Sequence, residues 1–176
     1  PDGTILCFYE RGSTDGKNHF RTNLLTVARV TEERVRDDDK VASLPGIVMD
    51  DDEAEYQGSW TASNAQPTPI GDRYRHDANT DLGKKSATFT ATIPKTGDYE
   101  IRFLYSPHDN RSTKTRITVA GAGEEKTFRI NQREPAMKDR VPNALGIFRF
   151  EAGAKACVTV SNEGADGYVI VDGLQI

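Results

Sequence analysis

The chain has 176 residues, 36% hydrophobic and 28% charged, which suits one domain with a short appendage. No run approaches the roughly 18 apolar residues a membrane-spanning helix needs. The net charge is -4, with the basic residues scattered, so the cationic footprint of a nucleic-acid binder and a polybasic membrane patch are both missing.

Eight prolines, 15 glycines and many Thr and Val favour short strands joined by turns over long helices. The first elements are two apolar runs, Thr4–Tyr9 and Asn23–Ala28, separated by the polar, Gly-containing stretch Gly12–Asn18. Bounded runs of that length predict a hairpin of buried strands. A two-stranded hairpin is marginal alone, so the pair should belong to a sheet supplied by something else. The chain starts at Pro1 with neither an initiator Met nor a signal peptide, which predicts a piece of a longer protein. Residues 31–46 are charged: Thr31 is placed to cap a short helix with Glu32 and Glu33 in its first turn, and the remainder reads as a solvated linker.

From Ile47 to Ile176 the pattern has period two. Ala54, Tyr56, Gly58 and Trp60 share one parity and predict an inward row. Ala87, Phe89, Ala91 and Ile93 alternate with Thr, and Tyr99, Ile101, Phe103 and Tyr105 alternate with Glu100 and Arg102. Ile117 and Val119, Phe128 and Ile130, Phe148 and Phe150, and Val158 and Val160 repeat the signal. Tyr168–Asp172 is apolar at both parities, as a strand covered on both sides would be. About eight short strands with no helical repeat between them predict an all-β fold, an antiparallel, jelly-roll-like β-sandwich.

Several groups of residues within 47–176 resemble the golvesin C-terminal-like domain, also called the xanthan-lyase carbohydrate-binding-like domain. They are Ile47–Tyr56 with Gly58-Ser-Trp60, Tyr74–Asp77, Ser86–Phe89, Gly97–Phe103, Asn110–Thr113 and Val158–Asp172, in family order. The resemblance implies a β-sandwich appended to secreted bacterial polysaccharide-active enzymes, with carbohydrate as its ligand. Residues 1–30 are similar to the end of a sialidase-type β-propeller, through Asp2–Gly12 and Leu24–Arg29. In that family the Glu matching Glu10 buttresses an arginine that grips the sialic-acid carboxylate. The nucleophilic Tyr, its partner Glu, the arginine triad and the Asp acid/base would all lie upstream, leaving Glu10 an orphan.

Trp60 and Tyr56 are candidates either for stacking on a pyranose or for the core. Tyr74, His76 and Asp77, flanked by Arg73 and Arg75, lie in a polar, turn-rich stretch where sandwich loops mount binding groups. His76 and Asp77 suit sugar hydroxyls, and either arginine suits a carboxylate; alternatively Asp77 fixes the tautomer of His76 in a structural loop. Tyr105, His108, Asn110 and Arg111 are the residue types a polysaccharide lyase uses, but also ordinary turn chemistry. The acidic run with Glu53 and Glu55, together with Asp172, suggests a structural calcium site like that of similar jelly-roll modules; solvated edge charges explain the run equally well. No other cofactor is expected. Of the two cysteines, too few for a disulfide framework, Cys7 carries no assignment and Cys157 reads as a free thiol packed as a small hydrophobe.

These readings converge on a non-catalytic, carbohydrate-binding module on a secreted sialidase-type glycoside hydrolase, extracellular or periplasmic. Its partners would be a glycan, mucin-type or another polysaccharide, and the parent catalytic domain, with no nucleic acid and no membrane insertion. The alternatives are a structural spacer or docking domain without a sugar site, and a fragment of an active sialidase or lyase.

Overall fold

A computed structural model describes residues 4–14, 20–31, 44–123, 125–138 and 141–176. The chain divides into two compact units, Pro1–Ala42 and Ser43–Ile176. In the first, β1 (Thr4–Thr14) and β2 (Phe20–Thr31) pair antiparallel from Thr4 opposite Thr31 to Thr14 opposite Phe20, with a register slip between Arg11 and Gly12. The expected hairpin is present and runs past both apolar stretches. Thr31 ends β2, and the helix expected after it falls at residues 32–43, outside the described residues.

The second unit opens with β3 (Val48–Asp50), a 3-10 turn at Asp51–Glu53, β4 (Glu55–Gln57), β5 (Thr61–Ser63), β6 (Tyr74–His76), β7 (Ser86–Thr92) and β8 (Gly97–Leu104). It continues with β9 (Thr115–Ala120), β10 (Lys126–Ile130), β11 (Met137–Lys138), β12 (Val141–Pro142), β13 (Ala144–Phe150), β14 (Lys155–Ser161), β15 (Ile170–Val171) and β16 (Gly173–Gln175). A five-stranded sheet has the order β10-β9-β14-β7-β4, a four-stranded sheet β13-β8-β16-β3, and a three-stranded sheet β15-β6-β5, while β11 and β12 form a short ribbon. The strand pairs are antiparallel, so the fold is the all-β sandwich that the alternation predicts.

The inward parity is buried where it was expected. Ala87, Phe89 and Ala91 of β7, Ile117 and Val119 of β9, and Val158 and Val160 of β14 meet Ile101 and Phe103 of β8 and Phe148 and Phe150 of β13 in one core. Phe128 on edge strand β10 is only half-buried, and its ring meets Phe148 edge-on at 6.3 Å, joining the two larger sheets.

Two segments depart from the simple alternation. Gly58 has φ +78° and interrupts the row that began at Ala54, so β4 joins the five-stranded sheet and β5 a different one. A side chain at Gly58 would meet Lys85 Cγ at 2.8 Å, so the position requires glycine twice over. The run at Tyr168–Asp172 leads from one sheet to another: Ile170 and Val171 pair with β6, and Gly173–Gln175 lie between β8 and β3. Passing between layers buries both of its parities. The buried Gln132 amide completes this segment, donating to the Ile170 carbonyl at 2.7 Å and accepting from its N–H at 2.9 Å.

Phe89 is fully buried at the centre of the core. Phe89→Ala should lower the unfolding free energy by about 3–5 kcal/mol in urea titration, and a loss below about 1 kcal/mol would place the core elsewhere.

Candidate functional site

The sequence candidates on β6 point to both sides of it. Tyr74 is 2% exposed, and its hydroxyl accepts from Arg111 Nη2 at 3.1 Å and Ser63 Oγ at 3.3 Å. Arg111, 5% exposed, also donates to the Ser106 carbonyl and, at 2.9 Å, to Asn110 Oδ1, which lies 3.1 Å from Nδ1 of the exposed His108. Tyr74, Arg111, Asn110 and His108 thus form one hydrogen-bonded chain from interior to surface. Its tyrosine is sealed from any polymer, and a lyase base must reach its substrate. Tyr105 is turned inward as well, donating to the carbonyls of Asn131 and Glu134; burial pushes its hydroxyl up to about 12.

His76 is half-buried, its Nδ1 accepts from the Ala78 N–H at 3.1 Å, and its ring meets Tyr168 edge-on at 5.6 Å. Burial, then the nearby Arg111 charge, lowers its pKa, so the ring is neutral at pH 7. Asp77 does not fix this imidazole, contrary to the structural alternative drawn from the sequence. It is fully buried and holds backbone instead: Oδ1 accepts from the Asn79 and Val169 N–H groups, both at 2.9 Å, and Oδ2 from Asn162 Nδ2 at 3.1 Å.

The flanking arginines are held by the chain's own acidic turn. Arg75 Nε donates to Asp51 Oδ2 at 2.8 Å, and Arg73 lies 3.5 Å from Asp51 Oδ1 and 3.2 Å from Asp52 Oδ2. Arg75 also covers the Tyr56 ring at 4.9 Å, and Trp60 packs on the same ring at 5.5 Å with its N–H given to the Gln57 carbonyl. Trp60 and Tyr56 are therefore half-buried members of a stack, not a free platform.

The proposed calcium ligands are not brought together. The Glu53 carboxylate accepts from the Asp50 N–H and closes a capping box, Glu55 is exposed on β4, and Asp172 is buried with Oδ1 accepting from the Ile70 N–H at 3.0 Å. Among the described residues no group of three or more His, Cys, Asp or Glu could hold a metal ion. Near Asp51 the positive charge comes from guanidinium groups. Asp172 Oδ2 has no hydrogen-bond partner, and burial, with Asp50 and Asp51 nearby, pushes this carboxyl up to about 8.

A cleft that the sequence does not announce lies on the outer face of the five-stranded sheet. It is a cleft of about 320 Å³ floored by Gln57, Ser86, Arg116, Thr118, Thr159 and Ser161, with Gly83, Lys84, Lys85 and Glu125 also lining it. Its volume falls within the range of small-ligand sites. Antiparallel register assembles the floor: Gln57 stands opposite Ser86, Ser86 opposite Ser161, and Ser161 opposite Arg116. The next row runs Glu55, Thr88, Thr159, Thr118, Thr127. Arg116 pairs with Glu163.

The loop from Asp77 to Lys85 supplies part of the lining and holds Ala78, Asn79 and Asp81 at φ 58°, 53° and 51°. Such left-handed residues cost about 1–2 kcal/mol each without glycine. Asn162 offsets this cost. Its Oδ1 accepts from the Gly83 and Lys85 N–H groups, and its Nδ2 donates to Asp77 Oδ2, the Thr80 carbonyl and the Asp81 carbonyl. The 4%-exposed Lys85 adds bonds from Nζ to the Asp77 carbonyl and Thr80 Oγ1, both 2.8 Å.

Two stability predictions follow from these buried groups. Asn162→Ala leaves several of them without partners and should cost on the order of 3 kcal/mol in chemical denaturation, with Asn162→Asp no better at pH 7. For Asp172 the folded pKa exceeds the unfolded one, so its protonated form favours folding and the wild type loses stability as pH rises from about 4 to about 8. The slope is at most about 1.4 kcal/mol per pH unit. Asp172→Asn should flatten it, so its urea midpoint gains on the wild type at pH 8 and not at pH 4; equal slopes would show that Asp172 is ionised in the fold.

A family model described as the Golvesin C-terminal domain matches residues 47–176. A xanthan lyase of Bacillus sp. (strain GL1) is 30% identical over 138 residues, 75% of this chain and 14% of the lyase. A solved Paenibacillus xanthan lyase superposes with TM-score 0.66 at 32% identity, over 72% of this chain and 12% of that one. The GH26-CBM35 β-(1,4)-mannanase of Podospora anserina shares the fold, with TM-score 0.50 at 20% identity, over 73% of this chain and 26% of that one. The match over the whole sandwich, residues 47–176, places this chain in the Golvesin C-terminal domain family.

Proposed function

We propose that the sandwich is a non-catalytic carbohydrate-binding module that holds a glycan in the cleft over the five-stranded sheet. The observation that carries this reading is the cleft floor, in which an amide, hydroxyls and a guanidinium project from four hydrogen-bonded strands. Those groups match the mixed donors and acceptors of sugar hydroxyls. The lining contains one carboxylate, Glu125, whereas glycoside hydrolysis ordinarily uses a pair. Kinship with a domain of xanthan lyases supports a polysaccharide ligand.

A Kd near 1 mM corresponds to about 4 kcal/mol, and each net polar contact contributes about 1 kcal/mol, so several must form together. Tethering then raises the local substrate concentration of an attached enzyme. The similarity of residues 1–30 to a propeller end supports a secreted bacterial sialidase as that enzyme, acting outside the cell or in the periplasm, with mucin-type glycans as targets. Glu10 takes no catalytic part in this reading.

Calorimetry of the 176-residue chain against mucin glycans, neutral polysaccharides and polyuronates tests the proposal. Binding is expected for at least one, with Gln57→Ala plus Arg116→Ala weakening it at least tenfold at an unchanged unfolding midpoint. Loss through His76→Ala, Arg73→Ala, Arg75→Ala or Trp60→Ala instead would move the site to the β6 side. The spacer reading is favoured by one observation: among the described residues the exposed large apolar side chains are Leu82 and Ile147, neither of them aromatic. Binding to no glycan would establish the spacer.

A further inference from the structure

From the direction of the cleft across the strands, we infer that it takes an internal segment of an extended polysaccharide, about three sugar residues long, in preference to a chain end or a single sugar. This rests on the carbohydrate reading above and specifies its ligand.

The floor is a line of groups and not a point. Gln57, Ser86, Ser161 and Arg116 belong to β4, β7, β14 and β9, which are consecutive neighbours in the sheet. Neighbouring strands are about 4.8 Å apart, so the line is about 14 Å long and offers a polar side chain at every step. That step is close to the length of one residue in an extended, equatorially linked pyranose chain. A polymer lying across the strands therefore keeps pace with the side chains, whereas one lying along them does not.

The second row keeps the same pace. Thr88 and Thr159 lie 3.0 Å apart through their hydroxyls, and Thr118 and Thr127 3.1 Å apart, so both edges of a sugar ring find partners along the path. β-Branched threonines have few rotamers, which fixes these hydroxyls before a ligand arrives. Ser86 Oγ is only 3.4 Å from Gln57 Oε1, a long bond that a sugar hydroxyl replaces readily. Fixed, regularly spaced contacts that are weak one at a time favour length: a single sugar touches one or two strands, and a trisaccharide touches all four.

Wall and rim agree with a path open along its length. Gly83, fixed by Asn162, and Lys84 border one side, and Glu125 of the β9–β10 turn another. The aromatic stack of Tyr56 and Trp60 does not line the cleft, so among the described residues no ring lines it to cap a terminal sugar.

The experiment titrates the full chain with oligosaccharides of one to six residues from three polymers, β-1,4-glucan, β-1,4-mannan and a polyuronate. At least one series should show no heat with one or two residues, onset at three, and less than a twofold further gain from four to six. Thr159→Val with Ser161→Ala keeps the strand shape and should weaken the trisaccharide at least tenfold. A monosaccharide binding within threefold of its trisaccharide, or affinity still climbing steeply at six, overturns the inference while the carbohydrate reading stands. Length dependence that the Thr159/Ser161 variant leaves unchanged also overturns it, by locating the path elsewhere. Binding by no series overturns it together with the carbohydrate reading.

Discussion

The buried hydrogen bond between Asn162 and Asp77 holds three otherwise separate parts of the sandwich. Asp77 follows β6 directly and grips Val169 on the way to β15, so it ties the small sheet to the final crossing segment. Asn162 follows β14 of the five-stranded sheet directly and grips the loop that lines the cleft. Both residues are fully buried, so every missing bond would incur the full cost of an unsatisfied buried group. That cost is what keeps three non-glycine residues at positive φ in a short loop. Local strain beside the cleft is thus balanced by a polar cluster a few residues away.

The core was legible because it obeys the period of two. Ala87, Phe89 and Ala91, or Val158 and Val160, need only alternate with polar neighbours to declare their side, and a sheet buried on one face enforces that alternation. Trp60 was less legible. Its parity matched Tyr56, but Gly58 resets the backbone between them, and their contact arises through ring packing between β4 and the segment that leads into β5. The residues of β6 looked like a binding loop because Tyr, His, Asp and Arg serve equally to satisfy a buried polar interior. The structure engages Tyr74, Asp77 and Arg111 in that interior, and chain adjacency alone could not separate the two uses.

The cleft was hidden for a different reason. Gln57, Ser86, Ser161 and Arg116 come from four distant stretches, and only strand register places them in line. One signal was present: the outward positions of β7 are Ser86, Thr88, Thr90 and Thr92, and those of β14 include Thr159 and Ser161, where a merely solvated face would carry more Lys and Glu. On the proposed reading a hydroxyl-rich outward parity repeated on neighbouring strands serves ligand contact, whereas the inward parity speaks only of stability. The acidic run of Asp50–Glu55 illustrates the converse. Its composition suggested a metal, yet its carboxylates are used to cap a turn and to neutralise Arg73 and Arg75.

Cys157 sits half-buried opposite Thr90, its sulfur 3.8 Å from that hydroxyl, on the same side of β14 as Thr159 and Ser161. The module thereby carries a native attachment point for a spin label or fluorophore on the surface that would face its ligand. Once Cys7 is replaced, reporter chemistry can follow that surface with no new side chain introduced into the sandwich.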